Sequence, residues 1–270
     1  MYFKKSAILF FSLFLGIILT GCSDTENDVE SPSNASKIYN LSITYKGKVY
    51  KVPCENDSVG NIVYLDSEFK TIYDAELANN PDIATLVLGE DSIAYFQDEK
   101  DLLKALGYEM MPLDNSTNFV DPDFPVDFGK YLENLNKTNV GKLTVWDDKN
   151  FKDRSYTAEI TGRTFFSCPN LKKACNMNDK ISSMKLWCTL PSSGVVYIPN
   201  GGDVDKYQWS DLRVVFLGYK DSDFKHSVLC IVLKSGEYRE FANLKDIGWG
   251  DKISSIIFKI AKKDEYTSNH

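Results

Sequence analysis

Asp179-Lys180-Ile181-Ser182-Ser183 and Asp251-Lys252-Ile253-Ser254-Ser255 are the same five residues, repeated 72 positions apart. Two further identities flank them. Asn170-Leu171-Lys172 returns as Asn243-Leu244-Lys245, and Phe151 as Phe224, both at an offset of 73. A gap of one residue reconciles the two offsets. Chance rarely supplies a five-residue identity with flanking matches, so residues 141–262 read as two copies of one supersecondary unit.

In each copy, apolar and aromatic runs mark four β-rich segments. In the first copy they are Leu143–Trp146, Ser155–Ile160, Arg163–Phe166 and Ile181–Leu186. In the second they are Val214–Phe216, Ser227–Leu233, Tyr238–Phe241 and Ile253–Ile260. Four segments per unit suit a Greek key, and two Greek keys bury their apolar faces together as a sandwich. The expected fold is mainly β: a C-terminal two-Greek-key β-sandwich preceded by a small α+β domain.

The repeat resembles the βγ-crystallin superfamily over nearly all of residues 141–262. The family's first motif is an aromatic, four residues, an aromatic, one residue and then glycine, in a folded hairpin. Trp146 with Phe151, and Tyr219 with Phe224, fill the aromatic positions. Asp153 and His226 stand where the family has glycine, a place that requires positive φ. The second motif is Asn/Asp, Asn/Asp, two free positions, Ser/Thr and Ser. Asn178 to Ser183 fits throughout, whereas Gly250 to Ser255 departs at its first position.

The resemblance implies calcium as cofactor. Calcium is a hard ion that takes about six to eight oxygens in loose geometry. Carried over from the family, one site takes Asn178, Asp179, the Lys180 carbonyl and Ser182, completed near Lys220. The other takes Asp251, the Lys252 carbonyl and Ser254, completed near Asp147. Ser183 and Ser255 fall where the family's serine hydroxyls hold the folded hairpin. Gly250 removes one oxygen-bearing side chain, so the second site is expected to be the weaker. The competing reading is that both loops serve folding alone, with Asp179 and Asp251 capping turns.

The N-terminus reads as an address. Lys4 and Lys5 precede an apolar run from Ala7 to Thr20, and Leu19-Thr20-Gly21-Cys22 follows. This is a secretory leader over residues 1–21, too short for a lasting transmembrane span. Its end resembles the lipobox of bacterial lipoproteins, which implies lipidation of Cys22 and a membrane partner through that anchor. The tether at 22–36 carries Asp24, Glu26, Asp28 and Glu30, and resembles the export signal of surface lipoproteins in Bacteroides-like bacteria. The expected location is the outer membrane, with surface exposure as the further expectation.

Between tether and repeat, residues 37–112 alternate strand and helix signals and are expected to form the small α+β domain. A hairpin over Leu41–Tyr45 and Val49–Val52 turns at Lys46-Gly47. Strands follow at Ile62–Leu65, Ala84–Leu88 and Ile93–Phe96, with helices over Phe69–Ala78 and after Asp98. Pro112, Pro122 and Pro125 mark 113–140 as a linker, and 263–270 as a tail completes the division.

The net charge is -7, and removal of Lys4 and Lys5 with the leader makes it more negative. Such a surface disfavours nucleic acid and suits cations. Five cysteines remain after lipidation. Export permits disulfides, and Cys168 with Cys175, and Cys188 with Cys230, are the candidate pairs, leaving Cys54 a buried thiol. Catalysis is the less favoured class: His226 is the one histidine away from the terminus, and a dyad with Cys230 or Cys168 is its only visible form. The chain is therefore expected to be a non-catalytic monomer with a protein or glycan partner. Two alternatives remain: a protease inhibitor presenting the Thr189–Leu212 loop, and an adhesin or glycan binder using Tyr207, Trp209 and Trp249.

Overall fold

The computed structural model describes residues 38–58, 60–110, 139–161, 165–200 and 203–263. The leader, Cys22, the tether, most of the linker and residues 264–270 lie outside them. No helix among the described residues is long and apolar enough to cross a membrane.

Strands β1 (Tyr39–Tyr45) and β2 (Lys48–Asn56) form the expected hairpin. Lys46 and Gly47 both take positive φ, the turn whose twist matches that of its strands. Strand β3 (Ile62–Tyr64) pairs with β2. Helix α1 (Ser67–Ile72) starts at Asp66, whose carboxylate accepts from the Phe69 amide, and widens into a π-turn over Tyr73–Leu77. Strands β4 (Ala84–Gly89) and β5 (Ser92–Phe96) are antiparallel, and β5 lies parallel to β1. Helix α2 (Glu99–Leu106) is capped by Asp98 and stopped by Gly107 at φ 59, and β6 (Tyr108–Met110) follows.

The repeat supplies β7 (Asn139–Asp148), β8 (Lys152–Thr161), β9 (Phe165–Cys168), helix α3 (Leu171–Cys175) and β10 (Ser183–Cys188). A ribbon of β11 (Val195–Asn200) and β12 (Asp203–Gln208) interrupts it. The second copy then gives β13 (Leu212–Asp221), β14 (Lys225–Leu233), β15 (Tyr238–Phe241) and β16 (Ser255–Lys263).

The two copies exchange their third strands. One sheet runs β15-β10-β7-β8, and the other contains β14-β13-β16 with β9 on β16. Each Greek key therefore completes its partner's sheet, and the module is a two-sheet sandwich. Between the sheets lies a core that includes Leu143, Leu186, Phe216 and Phe258.

The N-terminal strands continue the second of these sheets. Strand β4 lies parallel to β14 through Val228, Leu229 and Cys230, and β6 pairs with β16. Segments read separately in the sequence thus share one ten-stranded sheet. Its second face is covered by α2: Leu102, Leu103 and Leu106 pack with Val215, Leu217, Val228 and Cys230. Glu99 of α2 accepts from the Tyr219 hydroxyl at 3.1 Å. Burial holds the Glu99 carboxyl above its usual range and the nearby Lys259 amine below its own.

The cysteine pairs of the sequence reading are not bonded; all five described thiols are free. Cys188 belongs to the core between the sheets, whereas Cys230 faces the α2 side of the larger sheet. Alternation along a strand fixes those faces, so bridging them requires a register slip. Cys168 is buried, and Cys175 turns its thiol back onto the Leu171 carbonyl at 3.4 Å.

Candidate functional site: two interlocked Asp-Lys-Ile-Ser-Ser turns

The folded hairpins have the same backbone in both copies. Asn150, Phe151 and Asp153 take φ of 59, 61 and 64; Asp223, Phe224 and His226 take 61, 58 and 62. Positive φ is costly for side chains such as phenylalanine, so something must hold it. Ser183 does so in the first copy: its hydroxyl accepts from the Phe151 amide at 3.0 Å and donates to the Asp148 carbonyl at 2.6 Å. Ser255 repeats this with Phe224 at 3.1 Å and Asp221 at 2.6 Å. Edge-on ring pairs, Trp146 with Phe151 and Tyr219 with Phe224, complete each hairpin. The left-handed conformations at Asp153 and His226 are those the glycine positions required. Asp153→Gly is therefore expected to stabilise by about 0.5–1 kcal/mol, read as a small rise in thermal midpoint.

The pentapeptides interlock. Asp179 and Asp251 sit in left-handed turns at φ 50 and 57. The Asp179 amide donates to the Ile253 carbonyl at 3.3 Å, and the Asp251 amide to the Ile181 carbonyl at 3.0 Å. Side chains cross in the same sense. Ser254 Oγ donates to Asp179 Oδ1 at 2.8 Å, and Ser182 Oγ to Asp251 Oδ1 at 2.5 Å.

This regroups the sequence-derived ligand sets. The Ser182 amide donates to the Trp146 carbonyl, placing Ser182 beside Asp147; the Ser254 amide donates to the Tyr219 carbonyl, placing Ser254 beside Lys220. The turns thus set Asp179 and Asn178 with Ser254 and Lys220 on one side, and Asp251 with Ser182 and Asp147 on the other. Each aspartate meets the serine of the other copy. A contiguous loop cannot reveal this exchange, because it follows from the pseudo-symmetric docking of the two keys.

The two sides differ. Asp179 is exposed, and Asn178 Nδ2 meets its Oδ2. Asp251 Oδ2 instead faces Lys245 Nζ at 3.2 Å. A Cβ on Gly250 would lie 2.2 Å from Lys245 Cγ and 3.0 Å from the Lys245 amide nitrogen. A Cβ on Gly60, at φ +87, would lie 2.6 Å from Lys245 Cδ. The lysine stem thus runs between two glycines, and its ammonium reaches the carboxylate.

The one-residue gap of the repeat has a structural form here. Asn170 caps the α-helix α3, whereas Asn243 caps a tighter 3₁₀ turn over Leu244–Ile247. Lys245 and Gly60 had no place in the sequence-derived site. Their signal was the coincidence of the shortened offset with the loss of Asn/Asp at 250.

As a calcium fit, the Asp179 side offers one carboxylate, one carboxamide, one hydroxyl and neighbouring carbonyls, all oxygen donors suited to a hard ion. The Asp251 side does not fit equally, because Lys245 already neutralises its carboxylate. Among the described residues no three His, Cys, Asp or Glu side chains group as metal ligands. Lys252 donates to the Gly248 carbonyl at 2.7 Å, and burial, with Lys220 adding to it, lowers its pKa.

No protein-family model matches the chain, and no curated protein matches it. Among solved structures, one described as "Evolution of the eye lens beta-gamma-crystallin domain fold" is similar at 17% identity and a TM-score of 0.28. It covers 47% of this chain and 90% of that one. The strand exchange and paired folded hairpins described above decide the fold class.

The fold is a mainly-β, two-sheet Greek-key sandwich.

Within this sandwich the other sequence candidates find structural places. Trp209 and Trp249 are buried, at 8% and 6% exposure, and Tyr207 packs against the core, so the exposed aromatic surface of the adhesin reading is not formed. Trp209 closes the ribbon by donating its amide to the Gly194 carbonyl. The tip of that ribbon, Gly201-Gly202, lies outside the described residues. No Cys-His dyad forms with Cys230. His226 is exposed and meets Asp221, while Cys230 is fully buried about 13 Å further along β14, its thiol pushed well up by burial.

Proposed function

We propose that the protein is an exported, lipid-anchored, non-catalytic envelope protein whose βγ-crystallin-like module binds one calcium ion at the Asp179 side. The observation that carries this reading is the exposed Asp179 carboxylate, hydrogen-bonded to Ser254 Oγ at 2.8 Å in a left-handed turn with Asn178 beside it. Export and the anchor at Cys22 rest on the leader sequence. Asp179, Asn178 and Ser254 would hold the ion, with Lys252 and Lys220 contributing carbonyls. Bound calcium would tie the two Greek keys together, since its ligands come from both copies.

On the Asp251 side, the Lys245 ammonium stands where the family reading puts an ion. A built-in cation needs no calcium, so the pseudo-symmetric pair becomes one site and one internal ion pair. A single carboxylate and two neighbouring lysines make the site weak, with Kd on the order of 10⁻⁴ to 10⁻³ M. At about 5 mM calcium, mass action then adds roughly 1–2 kcal/mol, a rise of about 2–6 °C in thermal midpoint.

Asp179→Asn keeps a residue tolerant of positive φ, removes the carboxylate and is expected to abolish that rise. Asp251→Asn leaves it in place. Calorimetry is expected to give one equivalent. No heat and no midpoint shift at millimolar calcium would end the reading.

A further inference from the structure

A second feature adjoins the Asp179 side and uses the side chains of two residues, Lys220 and Lys252, whose carbonyls would face the proposed ion. Where the N-terminal strands meet the second Greek key, a cleft of about 460 Å³ opens. Its lining mixes aromatic side chains, Tyr73, Tyr95 and Trp249, with polar ones, Asn61, Asn79, Asn80 and Ser227, and includes Lys220 and Lys252. No aspartate or glutamate is among the described residues that line it. That exclusion is notable in a chain with 38 acidic and 31 basic residues. Asp57, whose charge partly offsets that of Lys252, accepts from the Asn61 amide at 2.8 Å and the Asn61 carboxamide at 3.0 Å.

Lys252 is fixed at the cleft wall by its bond to the Gly248 carbonyl, and Gly248 itself lines the space. An ammonium carries three donors, so others remain. The Tyr64 and Tyr95 hydroxyls satisfy each other at 2.7 Å. Lys220 and Lys252 act on each other as like charges, and an anion between them would relieve that repulsion.

We propose that this cleft binds a small organic anion built as a carboxylate on a ring. The carboxylate would bridge Lys220 and Lys252, and the ring would lie against Tyr73 and Trp249. The volume falls within the range of small-molecule sites, and a lining of mixed aromatic and polar side chains suits a polar ring. The ring could belong to an acidic sugar or to an aromatic acid. Both share the recognised chemistry.

The test uses the protein freed of divalent ions, which separates this site from the calcium reading. Glucuronate, benzoate and glucose are titrated by calorimetry or ligand-observed NMR at low salt. Saturable binding of glucuronate without glucose supports the proposal and assigns a sugar source; binding of benzoate alone supports it and assigns an aromatic acid. Lys220→Glu is expected to weaken the bound anion by about tenfold or more, and added salt to weaken it further. Lys252→Met keeps the stem and is expected to do the same, with an unchanged melting curve showing that the fold survives. Equal binding of glucose and glucuronate would overturn the proposal. So would no binding of either acid up to about 10 mM, or an affinity indifferent to both lysine variants.

Discussion

Ser183→Ala and Ser255→Ala are each expected to lower stability by about 2–4 kcal/mol, and together to cost most of what a domain of this size has to spare. Each hydroxyl is buried to 0% exposure and serves two main-chain groups at once, an amide and a carbonyl. Alanine has nothing to offer either, and water has little access. The orphaned amide belongs to a phenylalanine held at positive φ, so the lost bond also releases a strained backbone. Chemical denaturation measures the effect, with the slope unchanged if only the native state is weakened. A loss below about 0.5 kcal/mol in either variant would mean the hairpins hold themselves.

Gly250→Asn restores the residue that the repeated motif calls for, yet it is expected to destabilise by about 2–3 kcal/mol. The new Cβ would press on the Lys245 stem and on its amide nitrogen, and the amide cannot move without unwinding the turn. Lys245→Ala in the same chain removes the side-chain half of the clash and should recover much of the loss. Residues in contact couple, so this recovery appears as a non-additive term in a double-mutant cycle. The double variant also frees the second Asp251 oxygen and adds an asparagine beside it. Calcium titration should then rise from one equivalent to two. Additive losses with one equivalent throughout would show that Lys245 is not what separates the two turns.

Much of the fold was legible because the informative signals were local. The Asp-Lys-Ile-Ser-Ser identity located both keys, the Asp98 cap lies at the expected helix start, and Lys46-Gly47 made the expected hairpin. The relation between segments was less legible. Parallel pairing of β4 with β14 joins residues over 140 positions apart and leaves no turn to read. A trace of it existed: Val228 to Leu233 is apolar on both faces, the habit of a strand covered on both sides. The sequence did not show that each aspartate meets the serine of the other copy, because crossing depends on how two similar loops dock. Cys188 and Cys230 were less legible for a related reason, since spacing along the chain does not say which face of a sheet a thiol occupies.

The shared sheet also bears on any attempt to divide the molecule. Severed ahead of Asn139, β14 would become a rim with Val228, Leu229, Cys230, Ile231, Val232 and Leu233 in one greasy run and its hydrogen-bonding groups unclaimed. That is the profile of a template for stray chains. A rim of the other sheet, β8, already lives with solvent and carries Lys152, Asp153, Arg154 and Glu159 as a deterrent. A fragment cut there should clump at its wounded side, and its solubility would report the missing neighbour rather than any fault in the keys themselves.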